Sequence, residues 1–159
     1  MKTWTLRQLR NTGKSTAFER DAEVQNLCSS LGYHSHLITS FITNMRKIER
    51  EMIQAIVDQR SWSKANTSVK YDKDSGLSQV FLHGHNIAEY GHGDMSLSVN
   101  NCGYETNTTK SRLNSLIQFV FGGIALDYSI FQKDFNWYVV DQGEILDFPT
   151  GYWFSFTNA

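Results

Sequence analysis

Two stretches of the chain group residues whose types and spacing suit chemistry. The first is Thr106-Asn107-Thr108-Thr109-Lys110-Ser111-Arg112, at the start of an expected helix. A helix N-terminus offers free N–H groups and partial positive charge, which suit a phosphate. Thr106, Thr108 and Thr109 add hydroxyls, and Lys110 and Arg112 add charge. These five are candidate contacts for an anion or nucleic acid. The plainer reading is an N-cap, with Thr108 or Thr109 satisfying the helix end and the basic residues in water. The second stretch holds His83, His85, His92, Asp94 and Cys102. A His-x-His pair on one strand points both rings to one face, and later ligands can complete a tetrahedral metal site. Gly84 between the histidines instead suggests a turn that splays them. No Cys-x-x-Cys or His-Glu-x-x-His motif supports a metal.

Other motifs weaken on inspection. Gly13-Lys14-Ser15 resembles the end of a phosphate loop, but Gln8 stands where that loop needs glycine. No serine–histidine–aspartate or cysteine–histidine set has supporting context, so no catalytic residue is assigned and no cofactor is expected. The aromatic tail Tyr152-Trp153-Phe154-Ser155-Phe156 has two readings. It is an edge strand that completes the core, or Tyr152, Trp153, Phe154 and Phe156 form an exposed partner surface.

The elements that must position these residues follow from periodicity. Thr16-Ala17-Phe18-Glu19 reads as a capping box for a helix that Gly32 stops. A second helix is expected from His36 to Gln59. Its seam is Ile38, Phe41, Met45, Ile48, Met52 and Ala55, and Arg46, Lys47, Glu49, Arg50 and Glu51 lie on its exposed face. Residues 17–59 therefore read as an αα-hairpin.

After Trp62 the period falls to two. Thr67–Tyr71, Gln79–His83, Ile87–Tyr90 and Met95–Val99 are strand candidates, with a Gly84-His85-Asn86 turn. Lys110–Phe121 is helical and ends at Gly122-Gly123. Leu126–Gln132 and Trp137–Val140 flank a turn at residues 133–136, and the tail adds a last strand. The fold class is α+β: an N-terminal αα-hairpin, then an antiparallel sheet with one helix packed on a face. The expected division is a helical region over 1–61 and a sheet domain over 62–159.

One run resembles a known family. Val80-Phe81-Leu82-His83-Gly84-His85-Asn86 is followed by Gly103-Tyr104-Glu105-Thr106-Asn107-Thr108-Thr109-Lys110-Ser111-Arg112-Leu113-Asn114. Phe131-Gln132-Lys133 and Trp137-Tyr138-Val139 come later. Together they resemble a domain of unknown function common in tailed-phage accessory proteins. Its signature is Gly-(Trp/Tyr)-x-Thr-x-Thr-Thr-Lys-x-Arg-(Leu/Ile)-Asn. The resemblance spans roughly residues 62–141. It implies a phage origin and the host bacterial cytoplasm, and it carries over no catalytic residues.

Bulk properties bound the rest. The 159 residues are 40% hydrophobic and 19% charged, enough for a core and too apolar for a disordered chain. Net charge is −1, which argues against a uniformly basic nucleic-acid coat. The neutrality is a cancellation. Residues 1–64 hold ten Lys/Arg and six Asp/Glu, giving +4; residues 65–159 hold five and ten, giving −5. Two cysteines, Cys28 and Cys102, make no disulfide framework. No signal peptide or membrane span is expected.

The expectation is a phage binding protein that is not an enzyme. Its partner is a host protein complex or nucleic acid, in the manner of host-takeover or anti-defence factors. A homo-oligomer is expected from the helical seam and the aromatic tail. The alternatives are a metal-dependent hydrolase built on His83, His85 and His92, and a virion or assembly component.

Overall fold

A computed structural model of the chain describes residues 45–122 and 127–156. The αα-hairpin expected over 17–59 lies mostly outside these residues. Within them, the second helix does not run continuously from His36. Arg46 is extended (φ −63°, ψ 147°), and helix α1 spans Lys47–Val57. Glu49 caps this helix start by accepting from the Arg46 N–H at 3.0 Å.

The face of α1 also differs from expectation. Met52, Ile53, Ala55 and Ile56 enter the core as an amphipathic helix requires. Glu49 and Glu51, expected in water, are buried as well. Each has a cation to meet. Lys64 Nζ lies 2.9 Å from both Glu51 oxygens, and Arg112 lies against Glu49.

Five strands follow: β1 (Trp62–Lys64), β2 (Thr67–Asp72), β3 (Leu77–Leu82), β4 (His85–Gly91) and β5 (Ser96–Val99). They meander antiparallel. Alternation sends Val69, Val80, Leu82, Leu97 and Val99 to the inner face. The β3–β4 turn is His83-Gly84, one residue earlier than expected. Both residues have positive φ (51° and 81°), as a two-residue primed turn requires. His85 therefore opens β4.

Helix α2 (Asn107–Phe121) crosses next, and left-handed Gly122 (φ 72°) ends it. A second sheet follows, made of β6 (Tyr128–Lys133), β7 (Asn136–Asp141) and β8 (Glu144–Asp147). Strand β9 (Phe154–Ser155) returns to pair with β5, completing a six-stranded sheet in the order β1-β2-β3-β4-β5-β9. So there are two antiparallel sheets, and α2 lies on both. Its Leu113, Leu116 and Ile117 share one core with Ile53 and Ile56 of α1, Val80 and Val99 of the first sheet, and Ile130 and Val139 of the second. The expected 61/62 boundary falls between α1 and β1.

A candidate partner surface at one end of the sheet

Strand register decides which loops meet. Pairing of Lys64 with Thr67, Thr67 with Leu82, Leu82 with His85, and Val99 with Phe154 puts four connections at one end of the first sheet. They are the β1–β2 turn, the His83-Gly84 turn, the 100–106 loop before α2, and the 148–153 loop before β9.

The last two are fastened together. Asn101 is fully buried, and its Oδ1 accepts from Gly103 N at 3.0 Å and from Gly151 N at 2.9 Å. Thr150 Oγ1 donates to Glu105 at 2.6 Å, a second tie. Asn100 Oδ1 closes a local turn by accepting from Cys102 N at 2.7 Å. Cys102 and Gly103 then take positive φ (53° and 81°), turning the chain outward at Tyr104. The Tyr104 ring lies 4.8 Å from that of His85.

This frame presents large side chains to water. Tyr104 is 51% exposed, Tyr152 75% and Trp153 44%. Of the four tail aromatics, Tyr152 and Trp153 are thus outside. Phe154 and Phe156 turn inward, and Phe156 packs on Phe121 at 5.4 Å. The core-completing strand thus takes Phe154 and Phe156, while Tyr152 and Trp153 stay exposed. Sequence reasoning missed Asn101, His85 and Tyr104 as parts of this surface. The turn-forming run Asn100-Asn101-Cys102-Gly103 was the available signal.

The five anion candidates separate. Thr106, not Thr108 or Thr109, is the N-cap, and its side chain accepts from Thr109 N at 3.1 Å. Thr109 is buried, with its hydroxyl 3.0 Å from that of Thr106. Arg112 is buried too. It donates to Glu49 at 2.7 Å and to Thr67 Oγ1 at 3.1 Å. Burial pushes its guanidinium below its ordinary value, and Glu49 pushes back. Arg112 points inward to a partner 63 residues away, so it offers no contact to an external anion. Thr106, Thr108 and Lys110 remain at the surface.

The histidines do not converge. His83 and His85 sit at one end of β4 and His92 beyond the other, roughly 20 Å apart along the strand. The His83 ring nitrogen faces the Asn66 amide at 3.3 Å. His92 Nε2 shares a hydrogen bond with buried Ser78 Oγ at 2.8 Å, between the rings of Tyr71 and Tyr90. Burial pushes its pKa down. Asp94 is held below the usual carboxylate range by the Ser96 hydroxyl and backbone. The Cys102 thiol is pushed up by burial and donates to Asn86 O at 3.2 Å. Among the described residues no three His, Cys, Asp or Glu side chains gather as a metal group. The Ser78–His92 bond resembles half of a nucleophile pair, but Ser78 has no exposed surface for a substrate to reach.

What the fold and this surface define is a small α+β protein with exposed aromatics on hydrogen-bonded loops at one end. Residues 45–155 match the family described as Kyanoviridae Gp96 protein, and the chain belongs to that family, which makes it a bacteriophage protein. No curated protein and no solved structure matches the chain. No helix among the described residues is long and apolar enough to cross a membrane.

Proposed function

We propose that this phage protein works by binding rather than catalysis, and that its partner is a host protein complex in the bacterial cytoplasm. One observation carries the reading: Tyr104, Tyr152 and Trp153 stand exposed on loops that buried Asn101 locks together. Side chains held on a rigid frame lose little entropy on binding, and tyrosine and tryptophan dominate interface energetics. A protein partner is favoured over nucleic acid because Arg112 is spent internally and residues 65–159 carry −5. A host-takeover or anti-defence role fits a phage product of this kind. Self-association through the same surface is the competing reading.

The test is a crosslinked pull-down of the tagged full chain from infected cells, with and without nuclease. A Tyr152→Ala/Trp153→Ala variant runs beside it. Partners that survive nuclease and vanish with the double variant support the reading. Identical capture by both proteins overturns it. Light scattering of the pure protein separates a host partner from a second copy.

A further inference from the structure

Among the described residues, the second sheet has one closed edge and one open edge. On the closed side, the Asn114 side chain bonds both backbone groups of Ile130, at 2.8 Å each. On the open side lies β8. Asp141 and Glu144 flank the Gln142-Gly143 turn, and pairing continues through Val140–Ile145, Val139–Leu146 and Tyr138–Asp147. In an antiparallel ladder every second residue turns its N–H and C=O outward. After a two-residue turn these are Ile145 and Asp147. They are ready to receive another strand.

The side chains say which strand. Ile145 is 62% exposed, and Glu144 and Asp147 are exposed beside it. The outer face next to Ile145 carries the stacked pair Phe131 and Tyr138, 5.3 Å apart. Phe135, 90% exposed, stands at the β6–β7 turn in the left-handed region (φ 66°), costly for an aromatic. Residues 127–147 hold Asp127, Asp134, Asp141, Glu144 and Asp147 against a single base, Lys133. Edges are often protected from self-pairing by like charge. A second copy of β8 would set acid-apolar-apolar-acid against itself.

We propose that the open edge of β8 receives an extended segment of a different protein, patterned basic-apolar-apolar-basic. Its apolar residues cover Ile145 and Leu146, and its bases meet Glu144 and Asp147. This edge involves none of Tyr104, Tyr152 and Trp153, and neither proposal depends on the other.

The test titrates labelled peptides with a Lys-Val-Val-Lys or a Glu-Val-Val-Glu centre into the full chain at low salt. The basic peptide should bind at least about tenfold tighter, as two charge pairs changed from repulsion to attraction allow. Its binding should slow hydrogen exchange at the Ile145 and Asp147 amides. A Glu144→Lys/Asp147→Lys variant, confirmed folded by circular dichroism, should reverse the preference. Ile145→Pro, which removes the first outward N–H, should abolish binding. Unprotected amides, an unreversed preference, or unchanged binding by Ile145→Pro overturns the proposal. So does a dimer that protects the same amides without peptide. Residues 1–14 carry four bases, Lys2, Arg7, Arg10 and Lys14; binding that arises only after these are replaced by glutamate assigns the edge to the chain's own first residues, and equally overturns it.

Discussion

Arg112 of α2 and Glu49 of α1 form an ion pair at 2.7 Å with both side chains buried. The same carboxylate accepts from Ser111 and, through its other oxygen, holds the Arg46 N–H. One glutamate thus starts one helix and anchors another. Thr67 Oγ1 of β2 accepts a further hydrogen bond from the guanidinium Nε at 3.1 Å. The pair therefore joins three elements.

Removing either partner should be costly, because the other charge would stay buried and alone. Arg112→Ala or Glu49→Ala should lower stability by about 3–5 kcal/mol. Replacing both by similar-sized apolar residues, as in Arg112→Met/Glu49→Leu, should recover much of that loss. Urea unfolding followed by circular dichroism reads all three. A double variant no more stable than the single ones would show that the pair acts through more than charge compensation.

Asn114 should matter nearly as much, without any charge. Its amide replaces a missing strand along β6, donating to Ile130 O and accepting from Ile130 N. Asn114→Leu leaves both backbone groups unpaired, at about 1–3 kcal/mol for each group left unsatisfied. Hydrogen exchange at the Ile130 amide should quicken in that variant. An unchanged rate would mean another group already covers the edge.

These two residues show what the sequence could and could not convey. The helix over Lys110–Phe121, its Gly122 stop and its apolar face were legible, since capping and periodicity are local. So was most of the strand pattern. Strands β1 and β8, with three and four residues, are too short to show alternation. Arg112 reads as surface chemistry, and Asn114 only as part of a family signature, because their partners, Glu49 and Ile130, are set by tertiary packing. The histidine cluster failed for a related reason. Closeness in sequence along an extended strand is distance in space.

His92 should make stability depend on pH. Burial depresses its pKa in the folded chain below the ordinary 6.5, so folding favours the neutral ring. The unfolded chain then binds more protons in the window between the two values. The stabilisation is complete above 6.5 and falls as pH drops from there through the folded pKa. His92→Gln should remove that component. Urea midpoints measured at about pH 7.5 and about pH 5.5 compare the two proteins across the window. An equal acid loss in both would place the pH dependence elsewhere.

The tail should split into a part that folds the protein and a part that does not. Phe156 is buried among Phe121, Tyr128 and Phe154. Phe156→Ala should cost about 3–5 kcal/mol, the usual penalty for emptying a buried aromatic site. Tyr152 is mostly in water, and Tyr152→Ala should change stability by about 0.5 kcal/mol or less. Trp153→Ala should cost little more, because nearly half of its surface is exposed. A surface residue kept large and aromatic without a stability role is what a binding site would need. The stability series and the pull-down therefore belong together. Loss of partner in Tyr152→Ala/Trp153→Ala counts as recognition only if thermal unfolding shows the variant to be as stable as the wild type. If that variant instead unfolds as readily as Phe156→Ala, the exposed pair belongs to the core's support.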